Sequence, residues 1–165
     1  MSTVASASPT TRNSPLRLTL TVGLITGLIH IIIQIGIVFG LILKSPFISS
    51  LQYLASGAMG NAAFEGGLAI AMLGVLLEFI MTTIIAGVFI FSVGRIPLLR
   101  RYIMVGSLLY GFGLFFVMNL IVLPLSAAPT LPAPPTWLLI ELILEHILLI
   151  GLPLGILVRR NPNIY

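Results

Sequence analysis

Hydrophobic residues run without alternation through four stretches of this chain: Leu18–Leu43, Leu68–Val93, Tyr102–Leu123 and Trp137–Val158. Each can cross the ~30 Å hydrocarbon core of a bilayer, which takes about 20 residues of α-helix. Continuous apolar runs exclude the strands of a membrane β-barrel, which alternate and come in larger numbers. The pattern predicts an all-α membrane protein, a bundle of four transmembrane helices. Between the first two runs, Ile48–Phe64 (ISSLQYLASGAMGNAAF) is apolar but short and broken by Ser, Gln, Gly and Asn. It predicts one short interfacial or partly re-entrant helix in the first outer loop, not a fifth span. The segment Leu125–Pro135 (LSAAPTLPAPP) is proline-rich, so it is extended and cannot continue the third helix.

The remaining residues set boundaries and orientation. Residues 1–17 read as a flexible polar tail, 18–160 as the four-helix domain and 161–165 as a short C-terminal tail. The first run is far longer than the ~7–15 apolar residues of a secretory signal and has no small-x-small site near its end, so it is read as a retained span. Arg12, Arg17, Arg95, Arg100, Arg101, Arg159 and Arg160 fall on one side of a four-span arrangement, and only Lys44 falls on the other. The positive-inside rule then puts both termini in the cytoplasm. A fifth span would split the arginines. Tyr102 and Trp137 stand at span ends as interfacial aromatics.

Within the spans, small residues recur at helical spacing. The first presents Gly23, Gly27, His30, Gln34 and Leu41 on one face; the second presents Gly67, Ala71, Gly74, Glu78 and Thr82. The third offers Gly106, Tyr110 and Gly113, with Phe112, Phe115 and Phe116 round the other side and Asn119 near the outer end. Small residues four apart let helix backbones approach, and packing is what holds helices together in lipid. Pro153 in the fourth span (GLPLG) leaves the Leu149 carbonyl without its donor, so a kink and a candidate hinge are expected there.

The ionisable residues are the candidate chemistry. Glu78 stands ten residues from the outer end of its run, about 15 Å along a helix. Glu145 and His146 lie at a similar depth from Trp137, and His30 is near mid-span. A charge at that depth costs about 2.5–3.5 kcal/mol on insertion scales, so these groups are expected to turn inward. Either the carboxyls are neutralised by protons or they pair with histidine across the bundle. Glu141 and Glu145 share a face by their spacing, while His146 points about 100° round from Glu145 toward a different neighbour. Three readings of the cluster His30, Gln34, Glu78, Glu141, Glu145 and His146 stay open: a hydrogen-bond network that fixes helix register, a proton- or solute-handling site, and a haem or metal site at His30 and His146. No Glu-x-x-His pair of the diiron type occurs, and adjacent Glu145 and His146 do not suit one shared metal.

Composition narrows the classes further. The chain is 58% hydrophobic and 7% charged, far below the charge a soluble domain carries, and it has no cysteine for a thiolate site or disulfide. The net charge of +4 flanks spans and forms no basic stripe, so nucleic acid is not an expected partner. No Gly-Lys-Ser/Thr or Gly-x-Ser-x-Gly motif and no aspartate is present, which removes the usual phosphate-loop and serine-triad enzymes. An enzyme acting on a lipid would draw its acid/base pair from Glu145 and His30.

From about Leu51 to Arg160 the motifs Gln52-Tyr53-Leu54-Ala55-Ser56-Gly57, Gly67-Leu68-Ala69, Leu109-Tyr110-Gly111, Met118-Asn119, Val122-Leu123-Pro124-Leu125-Ser126-Ala127 and His146 with Gly151-Leu152-Pro153 before Arg159-Arg160 form one pattern. The pattern resembles a group of bacterial integral membrane proteins, broadly YagU-like, of unassigned function. The resemblance implies a four-helix inner-membrane protein and no substrate. Those proteins tend to carry histidine at the position of Glu78, so no shared metal or haem role carries over. The expected function is non-enzymatic: proton-coupled or small-solute handling through the Glu/His cluster. The alternative is a structural or accessory subunit that packs against a larger membrane complex or a second copy of itself.

Overall fold

Ser14 opens the first helix: its hydroxyl accepts from the Arg17 N–H at 3.2 Å, and Pro15 occupies the first turn, where its missing donor is harmless. From there the computed structural model describes residues 14–130 and 133–162. The expected N-terminal tail up to residue 13 with Arg12, two residues of the proline-rich loop, and 163–165 of the C-terminal tail lie outside the described residues. Among the described residues the protein is helical with no strand, and four helices are long and apolar enough to span a membrane. These are α1 (Pro15–Ile42), α3 (Gly67–Arg95), α5 (Ile103–Leu125) and α6 (Thr136–Arg159). The shorter α2 (Phe47–Met59) and α4 (Pro97–Arg101) lie in the connections. The segment expected as one short helix over Ile48–Phe64 is helical only to Met59. Gly60, at φ +62, breaks it into a 3₁₀ turn, Gly60–Glu65.

Three of the spans are not uniform α-helix. α1 widens into π-helix over Ile31–Ile42, α5 over Met118–Val122 and α6 over His146–Gly151. Two of these stretches end just before a proline, Pro124 and Pro153. Proline donates no hydrogen bond and crowds the carbonyl four residues back. Bonding across five residues, as from Leu123 N–H to the Met118 carbonyl and from Leu152 N–H to the Ile147 carbonyl, absorbs that mismatch. Ahead of Pro153, where a kink is expected, the helix carries a wide turn over His146–Gly151. In α1 the wide turns move the distal half off the α-helical phase. Leu41, expected on the same face as His30 and Gln34, is 74% exposed.

The spans pair as α1 with α3 and α5 with α6, and α1 also meets α6. In the half nearer the arginines a closed apolar core forms from Val22, Phe89, Val93, Ile103, Leu154 and Val158. Tyr110 ties α5 to α3 there by donating to the Ile85 carbonyl at 3.0 Å and packing on Phe89. In the distal half the two pairs part. The π-helical end of α1 packs on α2, while the first turns of α6 pack on α5. Gln52 donates to the Gly67 carbonyl at 3.1 Å and Ala127 N–H to the Gly57 carbonyl at 2.9 Å, so α2 fastens both the start of α3 and the loop after α5.

Close backbone contact sets each crossing. A Cβ on Gly23 would lie 2.5 Å from Thr83 Cα, and one on Gly27 would lie 2.7 Å from Thr82 Oγ1. A Cβ on Gly74 would run into the Leu51 carbonyl of α2, and Ala71 beside it is fully buried. Small residues at these positions let the helix backbones approach. The other three expected packing glycines are different. Gly67 starts α3 at φ +56 with open space around it, Gly106 faces Leu99 of the neighbouring short helix, and Gly113 meets nothing within 4 Å. Helical spacing puts a residue on a face; it does not put a partner helix there. The α5–α6 crossing instead uses Gly111 against the His146 carbonyl, and Gly151 and Gly155 against Ser107.

Candidate functional site

The α1–α3 crossing at Gly23 and Gly27 stands one to two turns from His30 and Glu78, and it brings those two side chains together. His30 Nδ1 is 2.9 Å from Glu78 Oε1, and on the other side of the ring Nε2 is 2.8 Å from Glu145 Oε1 of α6. Neither His30 Nδ1 nor Glu145 Oε1 has a hydrogen-bond partner, so these are close side-chain approaches, not directed hydrogen bonds. The other oxygen of Glu145, Oε2, is 3.4 Å from His146 Nδ1. All four side chains are shielded from solvent, Glu145 most completely.

The partners constrain the protons. His146 Nδ1 lies 2.8 Å from the Leu142 carbonyl as well as near Glu145. A carbonyl can only accept, so Nδ1 carries the hydrogen and fixes the tautomer. His30 has an acceptor oxygen at each nitrogen, whereas a neutral imidazole has one N–H. Two protons in these bridges remove the conflict. Either an imidazolium sits between two carboxylates, or a neutral ring sits between one carboxylate and one protonated carboxyl. The two states hold the same number of protons and differ by a transfer across less than 3 Å. The Glu78–His30–Glu145 bridge can therefore shift a proton between side chains of α3, α1 and α6, while His146, its Nδ1 hydrogen held by the Leu142 carbonyl, stands beside the α6 end.

The sequence grouped six residues, and the structure sorts them into two sets. His30, Glu78, Glu145 and His146 form the line. Gln34 and Glu141 form a second pair, with Gln34 Nε2 donating to Glu141 Oε2 at 3.3 Å. This pair bridges the parting between α1 and α6 one turn beyond the line. Beside it is a cleft of about 310 Å³, walled by Ile33, Leu144, Leu148 and Trp137, into which Gln34, Glu141 and Glu145 also face. His146 was expected to address a neighbour away from Glu145. Its ring turns back to the Leu142 carbonyl, which leaves Nδ1 3.4 Å from Glu145 Oε2 and the ring edge-on to Phe115, at 5.6 Å between centroids. Phe115 is accordingly buried, apart from exposed Phe112 and Phe116. Asn119 bonds the Phe115 carbonyl one turn back at 2.8 Å.

As a haem or metal site the arrangement is poorly equipped. Both His30 nitrogens face carboxylates, so neither is turned toward an iron, and His146 reaches back to its own helix. Among the described residues no group of His and Glu side chains converges as a set of metal ligands. Two features went unread in the sequence. The Gly151–Gly155 pair is a small-xxx-small stripe that the intervening proline obscured, and Trp137 serves as cleft wall as well as span-end aromatic. No family model, curated protein or solved structure matches this chain, so the functional reading rests on its own geometry and on the motif pattern in its sequence.

Proposed function

We propose that this membrane protein handles protons, alone or coupled to a small solute, through the line Glu78–His30–Glu145–His146. The observation that supports this reading most is His30 held between two carboxylates from two other helices. A structural network needs only satisfied hydrogen bonds. This one has two proton arrangements of equal count, and a largely apolar cleft into which Gln34, Glu141 and Glu145 face lies beside it. Titratable groups facing one another at mid-depth are what a relay or carrier requires. The arginine-rich end carries Arg17, Arg95, Arg100, Arg101, Arg159 and Arg160, which supports both termini lying in the cytoplasm and the spans crossing the inner (plasma) membrane.

The test is proton flux into proteoliposomes loaded with a pH-sensitive dye under an imposed membrane potential. The full chain should exceed protein-free vesicles. Glu145→Gln keeps the shape and a hydrogen-bonding end but cannot take up and release a proton, so it should lower the flux roughly tenfold or more. Wild-type flux no greater than that of empty vesicles, or flux unchanged in Glu145→Gln, would contradict the reading. The second outcome would favour an accessory subunit in which the network is purely structural.

A further inference from the structure

The cleft between α1 and α6 has a chemistry of its own. Gln34 is 2% exposed, and its Oε1 has no hydrogen-bond partner, while its Nε2 is turned to Glu141. A buried carbonyl oxygen left unmade costs about 1–3 kcal/mol, so its persistence asks for a partner from outside the chain. The two carboxyl groups that also face this cleft, Glu141 and Glu145, are acceptors when ionised. The remaining walls are hydrocarbon and one indole. The volume, about 310 Å³, stands at the small end of ligand pockets. The cleft lies where α1 and α6 part, so a ligand would reach it laterally, from among the acyl chains.

We infer that this cleft binds an amphiphilic amine: a primary or secondary ammonium on a compact apolar body. The ammonium would donate to Gln34 Oε1 and to the Glu141 carboxylate, and the body would lie against Ile33, Leu148 and Trp137. An ammonium supplies both the missing donors and the opposite charge, and charge-assisted hydrogen bonds are about twice as strong as neutral ones. A neutral alcohol supplies a donor only. A carboxylate supplies neither and would meet like charge. As the identity of the handled solute, this inference rests on the proton-coupled reading of the neighbouring line; as a binding site it can be measured separately.

Trp137 is the only tryptophan in the chain and lines the cleft, so its fluorescence reports on occupancy. The full chain in phosphatidylcholine nanodiscs is titrated with 4-phenylbutylammonium, 4-phenylbutanol and 4-phenylbutyrate. The amine should give a saturable change. The alcohol should bind at least tenfold more weakly, and the carboxylate should give no saturable response. Glu141→Gln should weaken amine binding at least tenfold. Gln34→Leu, which removes the free acceptor together with the donor to Glu141 but keeps both carboxylates, should weaken it severalfold. A response that does not saturate, that the carboxylate reproduces, or that both variants leave unchanged overturns the site. Proton flux without amine binding would remove this inference alone. Saturable amine binding without proton flux would keep the site and remove the proton-handling reading.

Discussion

Replacing Glu145 with leucine is expected to destabilise the folded protein by about 3–5 kcal/mol, the usual cost of removing one partner from a buried ion pair. Glu145 touches two imidazoles, His30 Nε2 at 2.8 Å and His146 Nδ1 at 3.4 Å. Its loss leaves His30 paired with Glu78 alone and facing apolar surface on the α6 side. A buried group can neutralise instead of staying charged, which favours the lower figure. The stronger expectation concerns His30→Leu combined with Glu145→Leu. Once the ring is gone, much of what Glu145 stabilised has gone with it. The double variant should lose less than the sum of the single losses, by about 1–3 kcal/mol. Reversible unfolding in mixed micelles measures all three variants. Additive losses, within about 0.5 kcal/mol, would mean that the two side chains do not share an interaction.

Gly111→Leu is expected to be as disruptive for a different reason, costing about 3 kcal/mol. A Cβ there runs into the His146 carbonyl and lies 3.1 Å from Ile147 Cα, and backbone cannot rotate aside as a side chain can. The α5–α6 crossing would have to open, and with it the placement of His146 and Glu145. Gly113→Leu, two residues on, is the control. Nothing lies within 4 Å of the added carbon, and leucine is the better helix former, so stability should stay within about 0.5 kcal/mol or rise slightly. The same unfolding assay reads both. Equal losses at the two positions would contradict the crossing described here.

How much of this was legible in the sequence depends on which interaction decides each feature. The four spans were legible because the bilayer imposes length and apolarity on each helix independently. Their ends, Pro15–Ile42 against the expected Leu18–Leu43 for example, shift by only a few residues. The polar line was partly legible, since burying charge is costly enough to turn His30, Glu78 and Glu145 inward wherever they stand on their helices. Its internal order was not. That Glu141 pairs with Gln34, and that His146 returns to Glu145, depends on side-chain rotamers and on how the helices meet, and three spans also contain wide turns. Pro124 and Pro153 mark two of those turns, but Ile31–Ile42 contains no proline. Small-residue spacing selected Gly23, Gly27 and Gly74, which stand at close approaches between helices. The same spacing also selected Gly113, because periodicity records a face and is silent on what the other helices do.

The most direct test of the central geometry leaves the side chains intact. The chain holds two histidines and, having no aspartate, four glutamates. Magic-angle-spinning NMR in lipid bilayers, with ¹⁵N in the histidine rings and ¹³C in the glutamate carboxyls, therefore gives few enough signals to assign by single substitutions. Both ring nitrogens of His30 should show strong dipolar coupling to carboxyl carbons, one lost in Glu78→Gln and the other in Glu145→Gln. A His30 ring with no carboxyl carbon close to either nitrogen would show that the line does not exist, and the proton-handling reading would fall with it.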